Sequence, residues 1–238
     1  MGSSGPSNGW RSKVLEIVVA PVITGLFVSV FLLILGPTIA DRWEIRKPTC
    51  ENPRGVRSVG TEQLHSIEVS STQVYSTEEP QRWSEDKLVD GITETVWVPR
   101  DGTAKGAYVT FFFHAPQDLQ LICIVNGVAS NSISYLRADR VRAARVKTDP
   151  TEGPGPVSPV KSLGEFEFQN RQPLKFDEGP TRSVTITIEG IYNGVSVFEP
   201  KGDRVVEQPR TRHTALAEVE FYVRDPEAPR PWEIWESD

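Results

Sequence analysis

His65, His114 and His213 are the three histidines of this 238-residue chain, and Cys50 and Cys123 are its two cysteines, so bases, nucleophiles and soft metal ligands are scarce. No two of the histidines stand at metal-ligand spacing. His65 and His114 fall in segments of strand character, where a half-buried histidine is the ordinary reading. Phosphate-loop and CxxC motifs are missing from the sequence. Carboxylates are plentiful but scattered at loop ends, where solvated surface accounts for them, and they nominate no acid and base pair. Cys50 lies in a Pro-rich connector. Cys123 sits within an apolar run, reads as a small buried hydrophobe on a strand, and is not expected to bridge to Cys50. An enzyme is therefore not expected.

The elements that could position a site are short strands. Strand character appears over 65–69, 108–114, 119–125, 140–146, 164–168, 174–176, 183–189 and 218–223. In 183–189, Val184, Ile186 and Ile188 alternate with polar residues, which predicts one buried and one wet face. Val219, Phe221 and Val223 repeat that pattern, whereas Phe111, Phe112 and Phe113 are apolar on both faces, as in a central strand. Gly, Pro and Asn clusters separate the strands, and residues 148–159 form a low-complexity loop. The fold class predicted is all-β, an antiparallel jelly-roll β-sandwich.

The informative stretch is Ser84 to Val98, where Asp90 and Gly91 make a turn, Thr95 offers a hydroxyl and Trp97 a large ring. This D-G-x-x-x-T-x-W pattern is followed by Ile124, Val125, Asn126 and Gly127, by SVTITIEGIYNG from Ser183, and by LAEVEF from Leu216. In that order, over about Leu64 to Val223, they resemble the coagulation factor 5/8 type C, or discoidin-like, galactose-binding domains. The nearest branch is the module of bacterial NAD glycohydrolase toxins, which aids translocation and is linked to glycan binding. Two departures stand out: Ile92 replaces a common acidic or amide residue, and Phe198 to His213 is longer than usual.

The resemblance implies a calcium site at Asp90, Thr95 and Glu218, because calcium takes six to eight hard oxygens. A plainer account also stands, with Asp90 capping its own turn and Glu218 bonding nearby amides. The resemblance further places ligand contacts in loops at one end of the sandwich, with Trp83, Asn126, Asn131 and Tyr135 as candidates and Trp97 assigned to the core. The toxin's NAD-cleaving activity does not carry over, since no catalytic domain accompanies the module.

Ahead of these strands, Val14 to Ala40 runs 27 residues with one charge, Glu16. A bilayer core needs about 20 apolar residues, so this stretch is predicted to span a membrane, while a signal peptide would have a shorter apolar region. Arg11 and Lys13 on one side and Arg42, Arg46 and Lys47 on the other nearly balance. A cytoplasmic N-terminus and an extracellular C-terminal domain follow from the family resemblance instead. The organisation expected is a short N-terminal segment over 1–13, the helix over 14–40, a stalk over 41–62, the β-domain over 63–224 and a tail over 225–238 carrying Trp232 and Trp235. With 26 basic against 32 acidic residues, nucleic acid is not the expected partner. The function expected is a membrane-anchored binding module for a glycan or envelope polymer on a bacterium. The alternative is an envelope scaffold that binds a protein partner.

Overall fold

A computed structural model describes residues 47–73, 83–100, 104–150, 157–165 and 167–227. The membrane helix expected over 14–40 and the tail tryptophans lie outside the described residues. Among the described residues, no helix is long and apolar enough to cross a membrane.

In chain order the elements are β1 (Val56–Ser58), β2 (Leu64–Val69), β3 (Tyr108–Asn126), α1 (Ser132–Arg137), β4 (Asp139–Pro150), β5 (Lys161–Ser162), β6 (Arg171–Pro173), β7 (Gly179–Tyr192), β8 (Val197–Lys201), β9 (Arg204–Gln208) and β10 (Thr214–Arg224). The main sheet runs β1-β10-β3-β7-β4-β5, with β2 and β6 also paired to β3. Every pairing is antiparallel except a short parallel one between the starts of β10 and β4. β8 and β9 form a separate hairpin.

β3 organises the fold. Its first half pairs with β2 and β7, its second half with β10 and β6. The sequence reads as two strands because residues 114–118 between the halves, His-Ala-Pro-Gln-Asp, carry no large apolar side chain and are largely exposed, where the pairing register breaks. Phe111 and Phe113 are buried and stack edge-on against Phe221 of β10, while Phe112 faces the other way, half-buried. The alternation of β7 is as expected, with Val184, Ile186 and Ile188 buried in the main core. Among the described residues no strand covers 164–168 or 174–176, and Leu163 and Leu174, on either side of short β6, join the main core.

Two expectations about the N-terminal side are corrected. The stretch read as a stalk carries β1, paired with β10 through Val56↔Arg224 and Arg57↔Val223. Cys50 and Cys123 are joined by a disulfide with a Cα–Cα distance of 5.7 Å. Ile122 and Ile124 face the main core, whereas Cys123 and Leu121 face outward beneath Cys50, Val56 and Tyr222. The β3 run is apolar on both faces because this segment covers the second one. With a sequence separation of 73, the crosslink contributes about 4 kcal/mol in the chain-entropy account.

The domain has two distinct ends. β1 and the last residues of β10 lie together at one, where the Asp225 amide donates to the Gly55 carbonyl at 3.1 Å. The start of β10, the end of β3, α1 and the hairpin gather at the other, roughly 35 Å away along an 11-residue strand.

Candidate functional site

Gly91 adopts φ +74°, a left-handed conformation that glycine accepts freely, so the chain reverses sharply after Asp90. The Asp90 carboxylate closes the turn: the Ile92 amide donates to its Oδ1 at 2.9 Å, and the Thr95 hydroxyl lies 2.9 Å from Oδ2. Lys87 Nζ stands 3.7 Å from Asp90 Oδ2. Beyond the turn, Trp97 is fully buried, exchanges backbone hydrogen bonds with Leu216 of β10, and donates its ring N–H to the Ser71 carbonyl at 3.2 Å. The core role expected for Trp97 is thus the observed one.

This anchoring brings the turn against Glu218, only 4% exposed on β10. Its Oε2 is buried without a hydrogen-bond partner. Burial first, then the Asp90 charge, raises the Glu218 carboxyl from an ordinary 4.5 to about 8, opposed by a hydrogen bond from the Gly91 amide. A buried carboxylate with an orphaned oxygen, facing the partly exposed carboxylate of Asp90, forms a donor set that suits a hard cation. Ile92 does not spoil that fit, since its carbonyl oxygen is turned to the Thr95 hydroxyl at 2.8 Å and is itself a hard donor. The Asp90 turn bonds belong equally to the plainer account of this residue.

A pocket of about 460 Å³, which shares Thr95 with that site, opens at the hairpin end. Trp83 and His213 pack there with ring centres 5.1 Å apart, and Glu94, Ser130, Ser134, Arg137 and Thr211 supply polar lining. Val96, Val98 and Val128 make its apolar side. Arg137 is positioned by its Nε, which donates to the Pro209 carbonyl at 2.8 Å, while the Thr211 amide donates to the Arg137 carbonyl at 2.8 Å. An aromatic wall surrounded by hydroxyl, carboxylate and guanidinium groups can take a small polar ligand that also has an apolar face.

Of the ligand contacts expected, only Trp83 lines this pocket. Asn126 is completely buried, and its side chain joins β3 to β4 by donating to the Val141 carbonyl at 2.6 Å and accepting from the Val141 amide at 2.9 Å. Tyr135 is also buried: its hydroxyl donates to the Glu165 carbonyl at 3.0 Å, and the Arg140 guanidinium lies 4.9 Å from its ring centre. Neither can reach a ligand. Asn131 is exposed, but it caps α1 by accepting from the Ser134 amide at 2.8 Å, and so orients the serines on the lining. Sequence reasoning missed His213, Arg137 and Glu94. They come from three distant segments, and only the folding of 209–213 back onto α1 brings them together.

Residues 60–199 match the NAD glycohydrolase translocation F5/8 type C domain family. No curated protein sequence matches the chain. Among solved structures, a fragment of a Bacteroides thetaiotaomicron protein superposes with a TM-score of 0.52 at 13% identity, over 71% of this chain and 94% of that one. The F5/8 type C domain of a Bacteroides fragilis protein gives a TM-score of 0.49 at 17% identity, over 73% and 99%. The family 32 carbohydrate-binding module of Clostridium perfringens NanJ, solved with galactose, gives 0.47 at 12% identity, over 70% and 98%.

Proposed function

We propose, from the premise that this chain belongs to the NAD glycohydrolase translocation F5/8 type C domain family, that it is a non-catalytic module binding a glycan or another envelope polymer at a bacterial cell surface. The observation that carries this reading is the pocket at the hairpin end, where the Trp83 ring is set against His213 among Glu94, Ser130, Ser134 and Arg137. Sugars present both an apolar C–H face and a fringe of hydroxyls, and such a lining answers both. The family itself is one of translocation modules.

In this reading a helix over 14–40 holds the module to the membrane, with Arg11 and Lys13 in the cytoplasm and the domain outside. The Cys50–Cys123 disulfide supports the outward placement, because such bonds persist in oxidising compartments. Asp90, Thr95 and Glu218 would hold a calcium ion, which would neutralise the paired carboxylates and tie the turn to β10. The orphaned Glu218 oxygen supports this.

A panel of glycans and isolated envelope polymers tests the reading. The full chain should bind at least one, Trp83→Ala should weaken that binding tenfold or more, and Glu94→Gln should weaken it without loss of fold, since Glu94 is exposed. No binding across the panel, or binding untouched by both substitutions, defeats it. A second reading, a scaffold for a protein partner, is favoured by the hairpin, where Phe198 and Val205 are 67% and 68% exposed on one outward face. Crosslinking in membranes that captures one defined protein through Phe198 would select it.

A further inference from the structure

His65 and His114 have no place in the reading above, and the sequence gives no reason to join them. The fold does. β2 pairs with β3 through Leu64↔Phe113 and Ser66↔Phe112, and the register slips between Leu64 and Ser66. His65 occupies that slip. Leu64 turns inward onto the core, Phe113 is buried, and the residues next to them, His65 and His114, stand exposed on the other face. Their ring centres are 5.2 Å apart with the planes at 67°.

That separation has a chemical meaning. A zinc–nitrogen bond is about 2.0–2.1 Å and an imidazole nitrogen sits about 1.1 Å from its ring centre, so two imidazoles on one tetrahedral ion have centres about 5 Å apart. The observed spacing of the ring centres matches that distance. We propose that His65 and His114 form a surface chelate for a divalent transition ion of the zinc, nickel or copper class. Imidazole is a borderline ligand that suits these ions and not calcium, so this site and the oxygen set at Glu218 select different metals. Among the described residues, no group of three or more His, Cys, Asp and Glu side chains converges, so the chelate has two protein ligands, with water in its remaining positions. An open site of this kind exchanges its metal readily. It also ties the start of β2 to the middle of β3, at the end of β2 away from the pocket, since the other end of β2 leads to Ser71 beneath Trp97.

The chain holds only three histidines, which makes the test direct. Zinc chloride is titrated into the full chain while the imidazole C–H proton resonances are followed, with calorimetry giving the stoichiometry. The resonances of His65 and His114 should move together and saturate at one ion per chain, while His213 stays in place. His65→Gln and His114→Gln, both at exposed positions, should each weaken binding at least tenfold and release the surviving partner from its shift. The proposal is overturned if the two resonances respond independently, if either substitution leaves the affinity unchanged, or if binding is weaker than about 1 mM, the mark of an adventitious ion only.

Discussion

Replacing Glu218 by glutamine makes a sharp test of the buried carboxylate pair, because it keeps the shape of the side chain and removes its ionisation. The Glu218 carboxyl is raised from 4.5 to about 8 in the fold. A group whose folded value lies above its unfolded one gives its full stability below the unfolded value and loses it as pH rises through the folded value. Native stability should therefore be greatest near pH 4.5 as far as this residue is concerned, and should fall between there and pH 8. At about 1.4 kcal/mol per pH unit, the ceiling is about 5 kcal/mol. Solvent relaxation and coupling to Asp90 reduce it to roughly 2 kcal/mol. For a domain of this size 1 kcal/mol corresponds to about 2–4 °C. In EDTA, the melting temperature of the parent chain should thus drop about 4–8 °C from pH 5 to pH 9 relative to Glu218→Gln, measured by circular dichroism. Calcium favours the ionised carboxylate, so millimolar calcium should restore the parent at high pH. A hundredfold excess over the dissociation constant is worth about 2.7 kcal/mol. The glutamine variant should gain nothing. Parallel profiles for parent and variant would refute the raised carboxyl, and identical melting of the parent in calcium and EDTA at pH 8 would remove the cation site.

Three further outcomes are expected. Cys50→Ser with Cys123→Ser should lower stability by about 4 kcal/mol, read as the midpoint of denaturant unfolding, and β1 should lose hydrogen-exchange protection first. Asn126→Ala strands the Val141 amide and carbonyl in the core and should cost about 2–4 kcal/mol of stability in thermal unfolding, while the molecules that remain folded should retain the binding proposed for the pocket. Protease added to intact spheroplasts should remove the β-domain and spare the segment with Arg11 and Lys13; a fully protected domain would reverse the proposed orientation.

The alternation of β7 was legible from its residues alone, whereas β10, read the same way, is buried on both faces, with Glu218 and Tyr222 covered as well as Val219, Phe221 and Val223. The D-G-x-x-x-T-x-W stretch was also legible, because a left-handed glycine and a buried tryptophan are local demands that the sequence must meet in place. What escaped were features in which distant segments share one neighbour. Cys123 looked like a plain hydrophobe because nothing near it in sequence announces that residues 48–58 will lie over its face of β3. Asn126 and Tyr135 looked like ligand contacts because amides and phenols serve binding and buried hydrogen bonding equally well. Only their depth tells the two apart. His213 and Arg137 were missed for the opposite reason: the 198–213 insertion that carries one onto the other follows no pattern shared with the rest of the sandwich.

The arrangement of the two ends bears on how such a module can be reused. The described chain arrives beside the place where it departs, Gly55 against Asp225, and its pocket lies a full strand length away. A unit wired in this way behaves like a plug with both leads at its base. It can be spliced behind an anchor, ahead of an effector or between two other domains through junctions at the end opposite the pocket. Descent can then change the attached partner freely while the pocket evolves on its own, and the same economy is open to an engineer who wants to graft the domain onto a new carrier.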